Sequence, residues 1–98
     1  MKYSVFDTVT SDTVATGLSV AQATRDALSR AGARYELRPA KSAGWELWIA
    51  NGPRESLSYY LYSPEPSEDA ALTDMALNWI DWSKHRHAIV SDEGFTAL

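Results

Sequence analysis

Positions 20, 23, 24, 27, 28 and 31 (Val20, Ala23, Thr24, Ala27, Leu28, Ala31) form one stripe at helical spacing, while Gln22, Arg25, Asp26 and Ser29 take the other side. Ser19 with Gln22 three residues on is a capping box, Asp26 and Arg30 stand at i,i+4, and Gly32 sits where a C-cap glycine belongs. The pattern predicts a helix over 20–31. Before it, Tyr3, Val5, Asp7 and Val9 alternate with Ser4, Phe6 and Thr8 at strand spacing. "TSDT" then turns and "VATG" resumes, so residues 2–17 read as a hairpin.

After that helix the period returns to two. "RYELRP" is a strand stopped by Pro39, "AKSAG" a turn, and "WELWIA" another strand; Asn51-Gly52-Pro53 turns the chain into "SLSYYLY". Trp45, Leu47 and Ile49 share one face with Leu57, Tyr59 and Leu61 of the following strand. The other face carries Glu46, Trp48 and Ala50 with Ser58, Tyr60 and Tyr62. Past a loop with two prolines, Pro66 and Ser67 start a second helix whose first turn holds Glu68 and Asp69, the charge that the helix dipole favours there. Leu72, Met75, Ala76, Trp79, Ile80 and Ser83 predict its buried stripe, and Lys84, His85, Arg86 and His87 its basic end. "HAIV" reads as a last short strand and "SDEGFTAL" as a tail.

The order is β-β-α-β-β-β-α. Short connections favour antiparallel pairing, which predicts a single α+β two-layer domain over residues 1–98, with one sheet of about five strands and helices packed on it. Composition agrees with a small folded domain: 98 residues, 45% hydrophobic and 22% charged. There is no Cys, which excludes a disulfide framework, Cys-ligated zinc and a thiol nucleophile. Ser4 and Asp7 interrupt any signal-peptide core, and no apolar run approaches the roughly 18 residues of a membrane span. A cytoplasmic protein is expected.

Charge changes the picture more. The net −4 is local: residues 1–62 hold seven bases against six acids, whereas residues 63–81 hold Glu65, Glu68, Asp69, Asp74 and Asp81 with no base. A bare acidic sector argues against direct nucleic-acid binding, which rests on Lys and Arg. It suits a basic protein groove.

Catalytic and metal signatures are missing. His85 and His87 lie two apart with neither Cys nor a flanking carboxylate, a poor metal set. No glycines frame a nucleophilic Ser, the adjacent acid pairs Glu68-Asp69 and Asp92-Glu93 diverge into solvent, and the five glycines are scattered singly. The residues predict no enzyme and no cofactor.

Two surfaces remain. On the second helix, Asp74 and Asp81 stand seven apart, two turns, with Asn78 beside them and Glu68 and Asp69 at the start. An amphipathic surface helix accounts for this without a partner. The lack of Lys or Arg at i,i+4 is what suggests instead a row standing in for a phosphate backbone. On the sheet, Trp48, Tyr60 and Tyr62 face away from the core if one face alone is covered. Cross-strand stabilisation and a contact surface explain them equally.

The first half, "KYSVFDTVTSDTVATGLSVAQATRDAL" with "YELRP" and "GWELWIA", resembles a group of small bacterial and prophage-type proteins to which no chemistry is attached. They share an aromatic-Val hairpin, a "GL[ST]" helix start, a "YE-aliphatic-R" strand and a "W-x-L-W" strand, over roughly residues 2–50. In size, acidity and α+β plan the chain is also similar, in type rather than motif, to anti-CRISPR proteins of phages and mobile elements. That resemblance implies an inhibitor that blocks DNA binding by a type I CRISPR effector complex through protein contact. Glu68, Asp69, Asp74 and Asp81 would then compete with DNA phosphate, with Trp48, Tyr60 and Tyr62 as anchors. The alternative expectation is a structural or regulatory module that homodimerises through the aromatic sheet face.

Overall fold

A computed structural model describes residues 2–30, 34–50, 54 and 56–92. The chain runs β1 (Tyr3–Asp7), β2 (Asp12–Leu18), α1 (Val20–Ser29), β3 (Arg34–Pro39), β4 (Trp45–Ala50), β5 (Tyr59–Ser63), α2 (Glu68–Asn78), a 3-10 turn (Trp82–Lys84) and β6 (His87–Ser91). This is an α+β domain with antiparallel strands, as the patterning predicts. The strands divide into two three-stranded sheets, β2-β1-β6 and β3-β4-β5, in place of one. Among the described residues no strand of the first group pairs with one of the second, and the last strand adds to the first sheet by pairing with β1, its far neighbour in sequence, from Tyr3↔Ser91 to Asp7↔His87. Gly32, the Asn51-Gly52-Pro53 turn and the tail from Glu93 onward lie outside the described residues.

Helix α1 begins as its capping box demands. The Ser19 Oγ accepts from the Gln22 N–H at 3.2 Å, and the Gln22 Oε1 accepts from the Ser19 N–H at 3.0 Å. Its small residues let it serve two cores. Ala21 and Leu28 join Leu47, Ile49, Ala71, Leu72, Met75, Ala76 and Ile80 in the larger core. Ala23 and Ala27 pack with Val5 in the smaller one under the first sheet. Trp82 and Ile89 touch both. Leu28, Leu47, Ile49, Leu72 and Met75 are fully buried, each contributing roughly 1.5–3 kcal/mol of apolar burial.

The end of α2 departs from its periodicity. The stripe places Trp79 inside and carries the helix to His87; the helix stops at Asn78, and Trp79 is 61% exposed. Both the Trp79 and Ile80 N–H groups donate to the Met75 carbonyl, at 2.9 and 2.8 Å, so the chain widens there and swings Ile80 in and Trp79 out. Trp82 then returns, and its Nε1–H donates to the Ala76 carbonyl at 3.0 Å, satisfying one of the carbonyls a helix end leaves open. His87 is not a helix cap. It lies buried on β6, with its Nε2 3.5 Å from Asp7.

Asp7 ties the first sheet together. It is buried, accepts from two of the Arg86 guanidinium nitrogens (Nε at 3.2 Å, Nη2 at 3.0 Å), and accepts the Val9 and Thr10 N–H groups of the β1–β2 turn. Ser11 closes that turn with φ 65. The Arg86 hydrogen bonds hold the Asp7 carboxyl far below its ordinary value, against the opposing effect of burial and with help from the two turn amides.

Candidate functional site

Two surfaces have the composition of a contact site, and they lie on opposite sides of the second sheet. Helix α2 packs on the face of that sheet that carries Leu47 and Ile49, next to α1. The outer side of α2 meets the start of α1 in an open groove of about 510 Å³ lined by Ser19, Glu65, Asp69, Thr73, Asp74 and Asn78, with Ala21, Ala70 and Leu77 between them. Three carboxylates therefore face one concavity. Two of them are positioned by local chemistry. Ser67 caps α2 by accepting the Ala70 N–H at 3.1 Å. Asp69 reaches the Arg25 guanidinium of α1 at 2.7 Å. Asp74 accepts from the buried Ser63 hydroxyl at 2.7 Å and from the Asn78 amide at 3.0 Å.

The predicted acidic row is only partly assembled. Glu68 and Asp69 are exposed on the first turn of α2 and Asp74 is half-buried on the same helix, but Asp81 lies beyond the helix end. There it caps the 3-10 turn, accepting the Ser83 N–H at 3.2 Å and the Ser83 hydroxyl. Those bonds pull its carboxyl below the ordinary value. The seven-residue spacing of Asp74 and Asp81 is not two turns of one helix, because the chain leaves the helix between them. Glu65, preceding the helix, takes the place in the groove that the spacing assigns to Asp81. Its proximity to Asp69 and Asp74 depends on how Ser63 ties β5 to α2, which no local pattern encodes. Nor is the segment wholly without cations, since Arg25 approaches from α1.

The second surface matches its expected arrangement closely. Registers Trp48↔Tyr60 and Glu46↔Tyr62 on one side, and Glu36↔Trp48 and Arg38↔Glu46 on the other, put these side chains on the outer face. Trp48 stacks on Tyr60 with ring centroids 4.7 Å apart and planes 18° from parallel. The Arg38 guanidinium lies 4.7 Å from the Trp48 ring centre and also pairs with Glu36 at 2.9 Å. The Trp48 Nε1–H donates to Glu46 at 3.1 Å, and the Tyr62 hydroxyl donates to the Ala43 carbonyl at 2.8 Å. Tyr60 is 54% and Tyr62 47% exposed, with Trp48 half-buried beneath its neighbours. Arg38 is the member that the aromatic pattern alone leaves out; the alternation Arg34-Glu36-Arg38 on the face opposite Leu37 would have found it.

Among the described residues no group of His, Asp and Glu is arranged to hold a metal, and no helix is long and apolar enough to cross a membrane. No protein-family model, curated protein or solved structure matches the chain.

Proposed function

We propose that this domain is a non-enzymatic inhibitor of the anti-CRISPR kind, which acts in the cytoplasm of a bacterial host by binding a protein with a basic groove. The partner in this reading is a type I CRISPR effector complex, and occupancy of its groove blocks DNA binding. The observation that supports it is the convergence of Glu65, Asp69 and Asp74 on one open groove, within a nineteen-residue segment that carries five acids and no base. Asp69, held by the Arg25 guanidinium, and Asp74, held by the Ser63 hydroxyl and Asn78 amide, are preorganised. A preorganised acidic surface competes with phosphate for Lys and Arg at lower ordering cost than a flexible one. Glu68 extends the charge along the exposed first turn.

The test is DNA binding by a purified type I effector with increasing amounts of the protein, at low and at high salt. Wild type is expected to block binding, more weakly as salt rises. Glu65→Lys combined with Glu68→Lys leaves every hydrogen bond described above in place and should raise the inhibitory concentration at least tenfold. Undiminished inhibition by that double variant removes the acidic surface from the account. No binding to any type I effector removes the anti-CRISPR reading itself.

A further inference from the structure

The outer face of β3-β4-β5 is aromatic yet electrically neutral, in a chain whose net charge is −4. Arg34, Glu36 and Arg38 alternate along β3, Glu46 follows on β4, and Trp48, Tyr60 and Tyr62 fill the remaining positions. Two copies of the chain repel most strongly through α2, because the negative excess is confined to its segment, which carries five acids and no base. They do not repel through this face. Its charges are also laid out for self-recognition. Arg38 and Glu46 are directly opposed across the β3–β4 ladder, so a two-fold axis running along that ladder sets Arg38 of each copy over Glu46 of the other. The four groups make a square of alternating sign, with Trp48 covered beside it.

We infer that this face is the interface of a homodimer, in which reciprocal Arg38–Glu46 contacts flank a buried Trp48. The inference concerns the opposite side of the sheet from the acidic groove and does not depend on what that groove binds. With the axis along the β3–β4 ladder, the copies overlap on two strands about 4.8 Å apart and five residues at about 3.3 Å each, a contact of about 10 by 17 Å that falls below the size of standard specific interfaces. The dimer is therefore a weak one, with a dissociation constant on the order of 100 µM. In it both α2 helices point outward, so the dimer presents two acidic grooves.

Sedimentation equilibrium between about 1 and 500 µM provides the test, with circular dichroism melts to verify folding of each variant. Wild type is expected to pass from monomer to dimer across that range. Arg38→Glu and Glu46→Arg should each remain monomeric at least tenfold higher in concentration. An equimolar mixture of the two should form a heterodimer, because one then carries two acids and the other two bases at the square. If either reversal unfolds the chain, Arg38→Gln and Glu46→Gln replace them, and each should weaken dimerisation. A wild type that stays monomeric to 500 µM overturns the inference. So does a dimer indifferent to both residues, or reversed variants that fail to pair with each other.

Discussion

Ser63, the last residue of β5, is fully buried and donates its hydroxyl to the Asp74 carboxylate on α2 at 2.7 Å. A second hydrogen bond, from the Asn78 amide, holds the same carboxylate from the next turn of the helix. Asp74 is therefore a fixed charge at the wall of the groove, joined to the strand that carries Tyr60 and Tyr62 on its opposite face. Replacing Ser63 by Ala leaves that carboxylate short of a donor and should cost about 1–2 kcal/mol, read from the urea midpoint with an unchanged slope. Asp74→Asn keeps the shape and should cost less than Asp74→Ala.

Gly44 ends the turn before β4 with φ +87, and a Cβ there would fall 2.2 Å from the Ser63 carbonyl oxygen and 2.8 Å from the Pro64 Cα. Both obstacles are backbone, so no side chain can move aside. Gly44→Ala is expected to destabilise the domain by about 2–3 kcal/mol, a loss visible in thermal melts. Gly17→Ala is the informative comparison: its φ is +71 but the space around it is open, so only the backbone strain remains.

Acid should unfold the domain partly through Asp7. Its carboxyl value is lowered on folding, so its contribution to stability is complete above the unfolded value of 3.8 and is lost as pH falls towards the folded one. The melting temperature should therefore drop as pH is lowered from about 5 towards 2. Asp7→Asn and Arg86→Gln should each flatten that dependence and lower stability at neutral pH. Glu36 and Asp81 shift in the same direction, through Arg38 and Ser83 respectively, so a residual slope should persist in either variant.

The Arg38–Trp48–Tyr60 stack should stabilise the sheet in the monomer as well. Tyr60→Ser removes one stacked ring and should cost about 1 kcal/mol, seen as a lower melting temperature at concentrations where the chain is monomeric. An effect that appears only at high concentration would assign the ring to the interface alone.

Much of this architecture was legible because local and global preferences agree. Ser19 and Gln22 announce α1, and its Ala and Leu positions fall on a helical stripe that does become the packed side. "WELW" and "YYLY" separate their faces by simple alternation, and the observed register Trp48↔Tyr60 follows from it. What local pattern could not supply is long-range. Nothing near residue 87 says that "HAIV" belongs beside β1 rather than beside β5, and nothing near residue 34 says that β3 starts a second sheet instead of extending the first. The end of α2 misled for another reason. Ile80 keeps helical spacing from Ala76 and is indeed buried, but it arrives there through a widened turn, and the large apolar Trp79 is turned outward. Asp81 lost its place in the acidic row for the same cause.

The pairing of β1 with β6 has a consequence for how the chain is made. During synthesis β1 and β2 can meet as soon as they emerge, but the second edge of β1 stays open until residue 91 has left the ribosome. The sheet of β3, β4 and β5 needs only neighbouring segments and can be complete well before that moment. Closure of the first sheet is thus the last topological event, and an interrupted chain would expose Val5, a core residue, along an unprotected strand.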